Sequence, residues 1–94
     1  MVFVRLFTTL REQAGKAKEA IELSSNTATV KDVLKELVKN YGPEFRDYLF
    51  NEKEKIRDHL QVLVNGKSVS LLEELDTRLK EGDQVAIVPP VGGG

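Results

Sequence analysis

The sequence predicts an α+β fold in which one main helix packs across a mixed sheet. Residues 30–41 carry apolar side chains at helical spacing. Five short segments rich in valine, isoleucine, leucine and phenylalanine flank this helix, two before it and three after it. A chain of 94 residues has room for one domain with an ordinary core. One helix lying on one half-exposed sheet is the two-layer arrangement that buries both apolar surfaces.

The first predicted strand covers residues 2–8, and its side chains alternate between two faces. Arg5 is expected to face solvent, so Phe3 and Phe7 share the outer face with it. The residues expected to point inward are Val2, Val4 and Leu6. Residues 8–14 are expected to form a short helical turn closed by Gly15.

The second strand is predicted over residues 19–23, with Ile21 and Leu23 inward and a polar turn after it. The main helix follows over residues 30–41, where Thr29 is placed as the N-cap and Asp32 completes a capping box. Gly42 and the proline after it are expected to end the helix. The apolar stripe of the helix consists of Val30, Val33, Leu34, Leu37, Val38 and Tyr41.

The stretch from residue 44 to 59 is highly charged and predicts one short helix and a loop, with scattered apolar anchors. A third strand is predicted over residues 60–64, and Asn65-Gly66 is a tight-turn signal leading to a return strand over 67–69. Residues 71–75 favour a helical turn. The last strand, residues 84–88, is stopped by Pro89-Pro90.

This β-β-α-β-β-β order indicates the β-grasp, or ubiquitin-like, architecture, with the first and last strands parallel at the centre of the sheet. The predicted domain covers residues 1–88, and residues 89–94 form a C-terminal tail.

Composition excludes several classes of function. Fourteen basic residues against fifteen acidic ones give none of the basic excess that a nucleic-acid-binding protein shows. The absence of cysteine excludes disulfides and thiolate chemistry, and no segment is long and apolar enough for a membrane span or a signal peptide. The expected localisation is cytoplasmic, away from membranes. His59 is interpreted as a strand-edge residue, and we expect no metal site.

The tail predicts chemistry at the C-terminus. Pro89 and Pro90 favour an extended exit from the sheet, and Val91 to Gly94 then reach about 13 Å at ~3.3 Å per residue. Because Gly92 and Gly93 lack a Cβ, the backbone can thread a narrow channel in a partner. We expect Gly94 to present a free carboxylate there.

The sequence Val-Pro-Pro-Val-Gly-Gly-Gly over residues 88–94 resembles the ending of the MoaD family, the small subunit of molybdopterin synthase. Leu-Phe-Thr-Thr-Leu-Arg-Glu-Gln-Ala-Gly over residues 6–15 is similar to that family's first strand and turn. Gly-Asp-Gln-Val-Ala over residues 82–86 resembles its lead-in to the last strand. Two departures are Gly92, where members often carry another small residue, and a longer segment over residues 42–59.

The resemblance implies a sulfur carrier with no permanently bound cofactor. An E1-like adenylating enzyme, similar to MoeB, would use ATP to adenylate the Gly94 carboxylate, and sulfur transfer would give a thiocarboxylate. The tail would then enter a large synthase subunit of the MoaE type, where the sulfur builds the dithiolene that holds molybdenum or tungsten.

Other functions use the same architecture. A ubiquitin-type modifier would join activated Gly94 to lysines, and a carrier for tRNA or thiazole thiolation would differ only in its acceptor. A β-grasp binding module without tail chemistry is the alternative of another class. For any carrier, strand alternation predicts a partner interface on the outer face near the tail, formed by Phe3, Phe7, Leu63, Ala86 and Val88.

Overall fold

Five strands form one mixed sheet in the computed structural model, which describes residues 1–23 and 25–89. The strands are β1 (Val2–Leu6), β2 (Lys18–Ile21), β3 (Gln61–Val64), β4 (Lys67–Ser68) and β5 (Gln84–Val88). Their spatial order is β2-β1-β5-β3-β4. β1 and β5 pair in parallel, and the other neighbours are antiparallel. This confirms the mixed sheet of a β-grasp fold with its first and last strands adjacent at the centre.

Three helices accompany the sheet: α1 (Thr8–Ala14), α2 (Val30–Tyr41) and α3 (Pro43–Leu49). Two 3₁₀ turns, Val69–Leu71 and Glu74–Asp76, follow β4. In the part of the chain that the structure describes, no helix is both long enough and apolar enough to cross a bilayer.

Helix α2 has the predicted bounds because its ends are encoded locally. The Asp32 N–H donates to the Thr29 hydroxyl at 3.4 Å, and the Thr29 N–H donates to the Asp32 carboxylate at 3.0 Å. This capping box satisfies N–H groups that lack a partner inside the helix. Its stripe packs on the sheet, with Val38 and Tyr41 half-buried. The fully buried members of the stripe are Val30, Val33, Leu34 and Leu37.

The inner face of the sheet follows the predicted alternation. Val2, Val4 and Leu6 are almost completely buried, as are Val85 and Ile87 of β5. These side chains join the stripe of α2 in one apolar cluster. The predicted inward set of the first strand is therefore confirmed.

Several strand bounds differ from the prediction. β1 ends at Leu6 because Thr8 already begins α1, and Val69 begins a 3₁₀ turn instead of extending β4. β2 covers Lys18–Ile21 and not residues 19–23, so Leu23 lies beyond the strand and is half-buried. Local residue preferences leave strand ends undetermined, because an end depends on where the neighbouring strand stops.

Helix α3 is more deeply packed than its charged sequence suggests. Phe45 and Leu49 are completely buried, and the Tyr41 and Phe45 rings lie 5.3 Å apart between centroids. Gly42 has φ +93° and ψ −170°, a conformation that only glycine adopts readily. This residue turns the chain, so that Pro43 both ends α2 and occupies the first turn of α3.

A polar contact ties the edge strand β2 to the end of α2. The Tyr41 hydroxyl donates to the Glu19 carboxylate at 3.0 Å, and the Lys16 ammonium donates to its other oxygen at 2.9 Å. The hydrogen bond from Lys16 is the main cause that lowers the pKa of Glu19, and burial is the main cause that raises the pKa of Tyr41. The charged form of Glu19 is thus stabilised where strand and helix meet.

Candidate functional site

The outer face of the sheet carries no covering helix, and strand register places its side chains in rows. In the central row Arg5 lies opposite Ala86 on one side and Lys18 on the other. Ala86 in turn lies opposite Leu63, which continues the row across β3. A second row begins with Phe3, between Ala20 and Gln84.

The predicted interface residues share this face. Phe3, Leu63, Ala86 and Val88 occupy its outward positions, and all are half-buried. Phe7 has an extended backbone with φ −129° and ψ 155°, so it continues the alternation one position beyond the strand and is half-buried as well. The structure therefore gathers the five residues onto one side of the molecule.

Two cations lie within this apolar surface. Arg5 and Lys18 are both exposed, and the Lys18 ammonium lies 4.9 Å from the centroid of the Phe3 ring. This distance is within the range of a cation–π contact. The sequence had predicted that Arg5 faces solvent on this side of the sheet. Lys18 was not predicted on the outer face, because the second strand was predicted to begin at residue 19.

A shallow recess of about 370 Å³ opens beside Arg5 on the outer face. Ala86 forms part of its floor, where the small side chain leaves a dip between Arg5 and Leu63. The remaining lining residues are Asn65, Gly66, Gly82, Gln84 and Val85. The outer face is therefore an apolar surface with one cationic hollow.

The turn after β3 fixes one rim of this recess. The Asn65 side-chain amide donates to the Asp83 carboxylate at 3.0 Å and accepts from the Gln84 N–H at 3.0 Å. The Asn65 backbone N–H also donates to the Gln84 carbonyl at 2.7 Å. With φ at +51°, Asn65 adopts the left-handed conformation that the predicted tight turn requires.

The tail leaves from the central strand of the sheet. Val88, the last residue of β5, lies opposite Gln61, and Pro89 follows it half-buried. Strand β5 is held on both sides, by β1 and β3, so the departure point of the tail is fixed relative to the outer face. The predicted reacting residue Gly94 and tail residues Pro90, Val91, Gly92 and Gly93 lie outside the described residues.

His59 lies in the turn before β3 and not on a strand edge, with its exposed side chain edge-on to the Tyr48 ring at 5.8 Å. Among residues 1–23 and 25–89 no group of three histidine, aspartate or glutamate side chains converges on a common point.

The chain matches the ThiS family over residues 4–94. It belongs to the ThiS family. This match begins within β1 and runs to residue 94, and it places the chain among ubiquitin-like sulfur carriers. The resemblance to MoaD proteins is confirmed at this level.

The chain is similar both to a modifier protein and to a sulfur carrier subunit. Small archaeal modifier protein 3 of Haloferax volcanii is 37% identical over 91 residues, which are 97% of this chain and 96% of that protein. The molybdopterin synthase sulfur carrier subunit of Drosophila yakuba is 33% identical over 95 residues, which are 99% of this chain and 90% of that protein.

Solved structures agree with the fold of this ThiS-family chain. SAMP1 from Haloferax volcanii superposes with a TM-score of 0.83 at 32% identity, covering 99% of this chain and 98% of that one. CysO in the Amycolatopsis orientalis BexX/CysO complex superposes with a TM-score of 0.82 at 25% identity, covering 100% of both chains.

Proposed function

We propose that this protein is a sulfur carrier whose Gly94 carboxylate is adenylated and then converted to a thiocarboxylate. The observation that carries the proposal is the family match, which runs through the tail as far as residue 94. The position of β5 supports it, because a tail leaving the middle of a sheet has a fixed starting point. In this proposal the domain holds the start of the tail in place, and the tail carries the reacting carboxylate.

The proposed chemistry needs no side chain of this protein. Attack of the Gly94 carboxylate on the α-phosphate of ATP forms an acyl-adenylate and releases pyrophosphate. Hydrosulfide then adds to the acyl carbon and expels AMP, so one carboxylate oxygen is replaced by sulfur and leaves with AMP. The resulting thiocarboxylate is a sulfur nucleophile, which accounts for a carrier with no cysteine.

Recognition by the partner enzymes is proposed to take place on the outer face. Ordering four tail residues costs roughly 4–8 kcal/mol at ~1–2 kcal/mol each, so the tail alone binds poorly. The apolar surface formed by Phe3, Phe7, Leu63, Ala86 and Val88 lies beside the departure point of the tail and offsets that cost. An E1-like, MoeB-like enzyme and a MoaE-like subunit are the proposed partners.

The proposed sulfur acceptor is a pterin precursor of the molybdenum or tungsten cofactor. The relative from Drosophila yakuba, a sulfur carrier subunit of molybdopterin synthase, supports this acceptor. The carrier would donate its sulfur inside the large synthase subunit, which holds the pterin. Once the sulfur has bonded to the pterin, water would hydrolyse the bond between the Gly94 acyl carbon and sulfur and regenerate the carboxylate.

Conjugation to lysines is a second candidate function, favoured by two relatives named small archaeal modifier proteins. They are 37% and 34% identical to this chain. In this function a lysine amine, in place of hydrosulfide, attacks the acyl-adenylate of Gly94, expels AMP and forms an amide. Both functions use the same activated residue, so they differ only in the nucleophile that follows.

Incubation of the intact protein with ATP, an E1-like enzyme and sulfide tests the proposal. The expected product has one oxygen replaced by sulfur, and fragmentation locates the sulfur on Gly94. Deleting Gly94, or appending one residue, is expected to abolish adenylation without changing the melting temperature. The deletion shortens the tail and the extension moves the carboxylate past the reaction site.

The products also separate the two candidate functions. Adding a MoaE-like subunit with a pterin precursor should consume the thiocarboxylate, whereas a modifier forms an amide to a lysine of another protein. Sulfur on any other residue, or a truncated variant that still accepts sulfur, contradicts the assignment of Gly94. An appended residue that leaves adenylation unchanged does the same.

A further inference from the structure

Charge is unevenly distributed between the outer face and the rest of the molecule. The chain has fifteen acidic residues against fourteen basic ones. In the described strands, however, the outward positions include Arg5 and Lys18 and no aspartate or glutamate. Glu19, the acidic residue of β2, lies opposite Val4 and therefore points to the inner face.

Arg5 and Lys18 have no carboxylate within ion-pair distance among residues 1–23 and 25–89. They also lie opposite each other in the antiparallel pair, where two like charges repel. An incoming anion would relieve this repulsion. The centre of the outer face is thus complementary to a negative group on a partner.

The recess gives this negative group a location. Its floor at Ala86 lies directly beside Arg5 in the register, while Leu63 bounds the opposite side. A planar guanidinium binds a carboxylate through two parallel hydrogen bonds, and apolar surroundings strengthen such a pair by excluding water. Two apolar residues of the proposed docking surface, Leu63 and Ala86, line the recess together with Arg5.

We propose that the recess over Ala86 receives an aspartate or glutamate side chain of the activating enzyme and that Arg5 binds its carboxylate. Lys18 contributes a longer-range attraction from the neighbouring strand. This inference rests on the proposed function for the identity of the partner. The carboxylate would fix the orientation of the sheet on the enzyme, and so the direction in which the tail leaves.

Binding to the E1-like adenylating enzyme of the same organism tests the inference without any chemistry, because ATP is omitted. Arg5→Glu is expected to weaken binding at least about tenfold, since it places two carboxylates against each other. Ala86→Leu is expected to cause a similar loss by filling the recess. Ala20→Leu, which adds the same side chain beside Phe3 and outside the recess, should weaken binding less than Ala86→Leu does.

Ionic strength provides an independent readout. Binding of the intact protein should weaken as salt is raised, whereas binding of Arg5→Glu should no longer weaken, because salt screens the repulsion between the two carboxylates. Melting temperatures and NMR spectra of the backbone amides establish that each variant is folded. Binding by a folded Arg5→Glu or Ala86→Leu variant with unchanged affinity overturns the inference, and so does the absence of binding by the intact protein.

Adenylation measured with ATP distinguishes failure of the inference from failure of the proposed function. Charge-insensitive binding together with normal adenylation of Gly94 overturns the carboxylate contact alone. Charge-sensitive binding without adenylation upholds the contact and overturns the carrier chemistry.

Discussion

The two faces of the sheet are built from alternate residues of the same strands, yet they differ in composition and exposure. On the inner face, Val4 of β1 and Val85 of β5 lie opposite each other and are completely buried. One residue further along, Arg5 and Ala86 lie opposite each other on the outer face, where Arg5 is exposed and Ala86 half-buried. The inner face packs on α2, whereas the outer face combines half-buried apolar groups with exposed cations and glutamines.

This difference separates stability from recognition within single strands. Inner residues bury their whole side chains, which contributes about 1.5–3 kcal/mol each. Outer residues are already half-buried in the isolated protein, so a partner gains from covering them while the fold depends on them little. Mutations on the two faces should therefore give opposite patterns of stability and binding.

The largest expected effect is on the inner side of the molecule. Leu34→Ala and Leu37→Ala each remove a completely buried side chain of α2 and leave a cavity against the sheet. Each should lower the free energy of unfolding by about 2–5 kcal/mol in chemical denaturation. Val38→Ala, at a half-buried position of the same helix, should cost less.

Unchanged unfolding midpoints for both leucine variants would contradict the division between the two faces, because the inner face would then contribute no more stability than the outer one. Binding to the activating enzyme should survive in either variant at temperatures where it remains folded. A loss of binding under those conditions would mean that the two faces are coupled.

An intermediate effect is expected on the outer face. Phe7→Asp and Val88→Asp should each weaken binding of the activating enzyme and of the synthase subunit about tenfold, since a carboxylate then replaces an apolar contact. The change in unfolding free energy should stay below about 1.5 kcal/mol, because both positions are only half-buried. Isothermal titration calorimetry and thermal melting measure the two quantities.

Val88→Thr is the matched control for the second variant, since it keeps the shape and the β-branched side chain without adding charge. It should bind nearly as well as the intact protein. Folded aspartate variants that bind both partners with full affinity would exclude the outer face as the docking surface.

The smallest effect is expected at the contact of Glu19 with Lys16 and Tyr41. The folded-state pKa of Glu19 lies below its unfolded value, so its contribution is present above about pH 4.3 and is lost as pH falls through the folded-state pKa. Glu19→Gln should lower stability at neutral pH by about 1 kcal/mol and flatten the acid limb of the stability curve. Chemical denaturation between pH 3 and pH 7, values chosen to bracket the usual carboxyl pKa of ~4.3, measures both.

Glu36→Gln, at an exposed position of α2, serves as the control for the loss of one carboxylate. If Glu19→Gln keeps the full acid sensitivity of the intact protein, the contact with Lys16 and Tyr41 has no energetic weight.

The sequence predicted those parts of the fold whose determinants are local. Helix α2 was placed to the residue because its stripe and its Thr29–Asp32 capping box lie within the segment itself. The inward set of β1 followed from alternation alone. Phe45 and Leu49 were predicted only as scattered anchors of a charged stretch. Their complete burial could not be predicted, because their neighbours in the core come from distant segments.

The candidate site was predicted in the same uneven way. Alternation within a strand identified Phe3, Leu63 and Val88 as outward, and the structure agrees. The recess beside Arg5 could not be predicted, because it depends on which residues lie opposite each other in different strands. Register across strands is set by turns and by the packing of the whole sheet, and neither is visible in one segment.

The parallel pairing of β1 with β5 joins the two ends of the chain. β5 is the central strand. During synthesis, the edge of β1 that pairs with β5 therefore stays unpaired until residue 88 has been made. Contacts this distant in sequence slow folding and make it depend on nearly the full length of the chain. A nascent chain that stops before Val88 cannot close its sheet, whereas a chain that reaches Val88 needs only six more residues to include Gly94. The order of the strands therefore makes closure of the sheet a late event in synthesis of the chain, six residues before the proposed reacting residue Gly94.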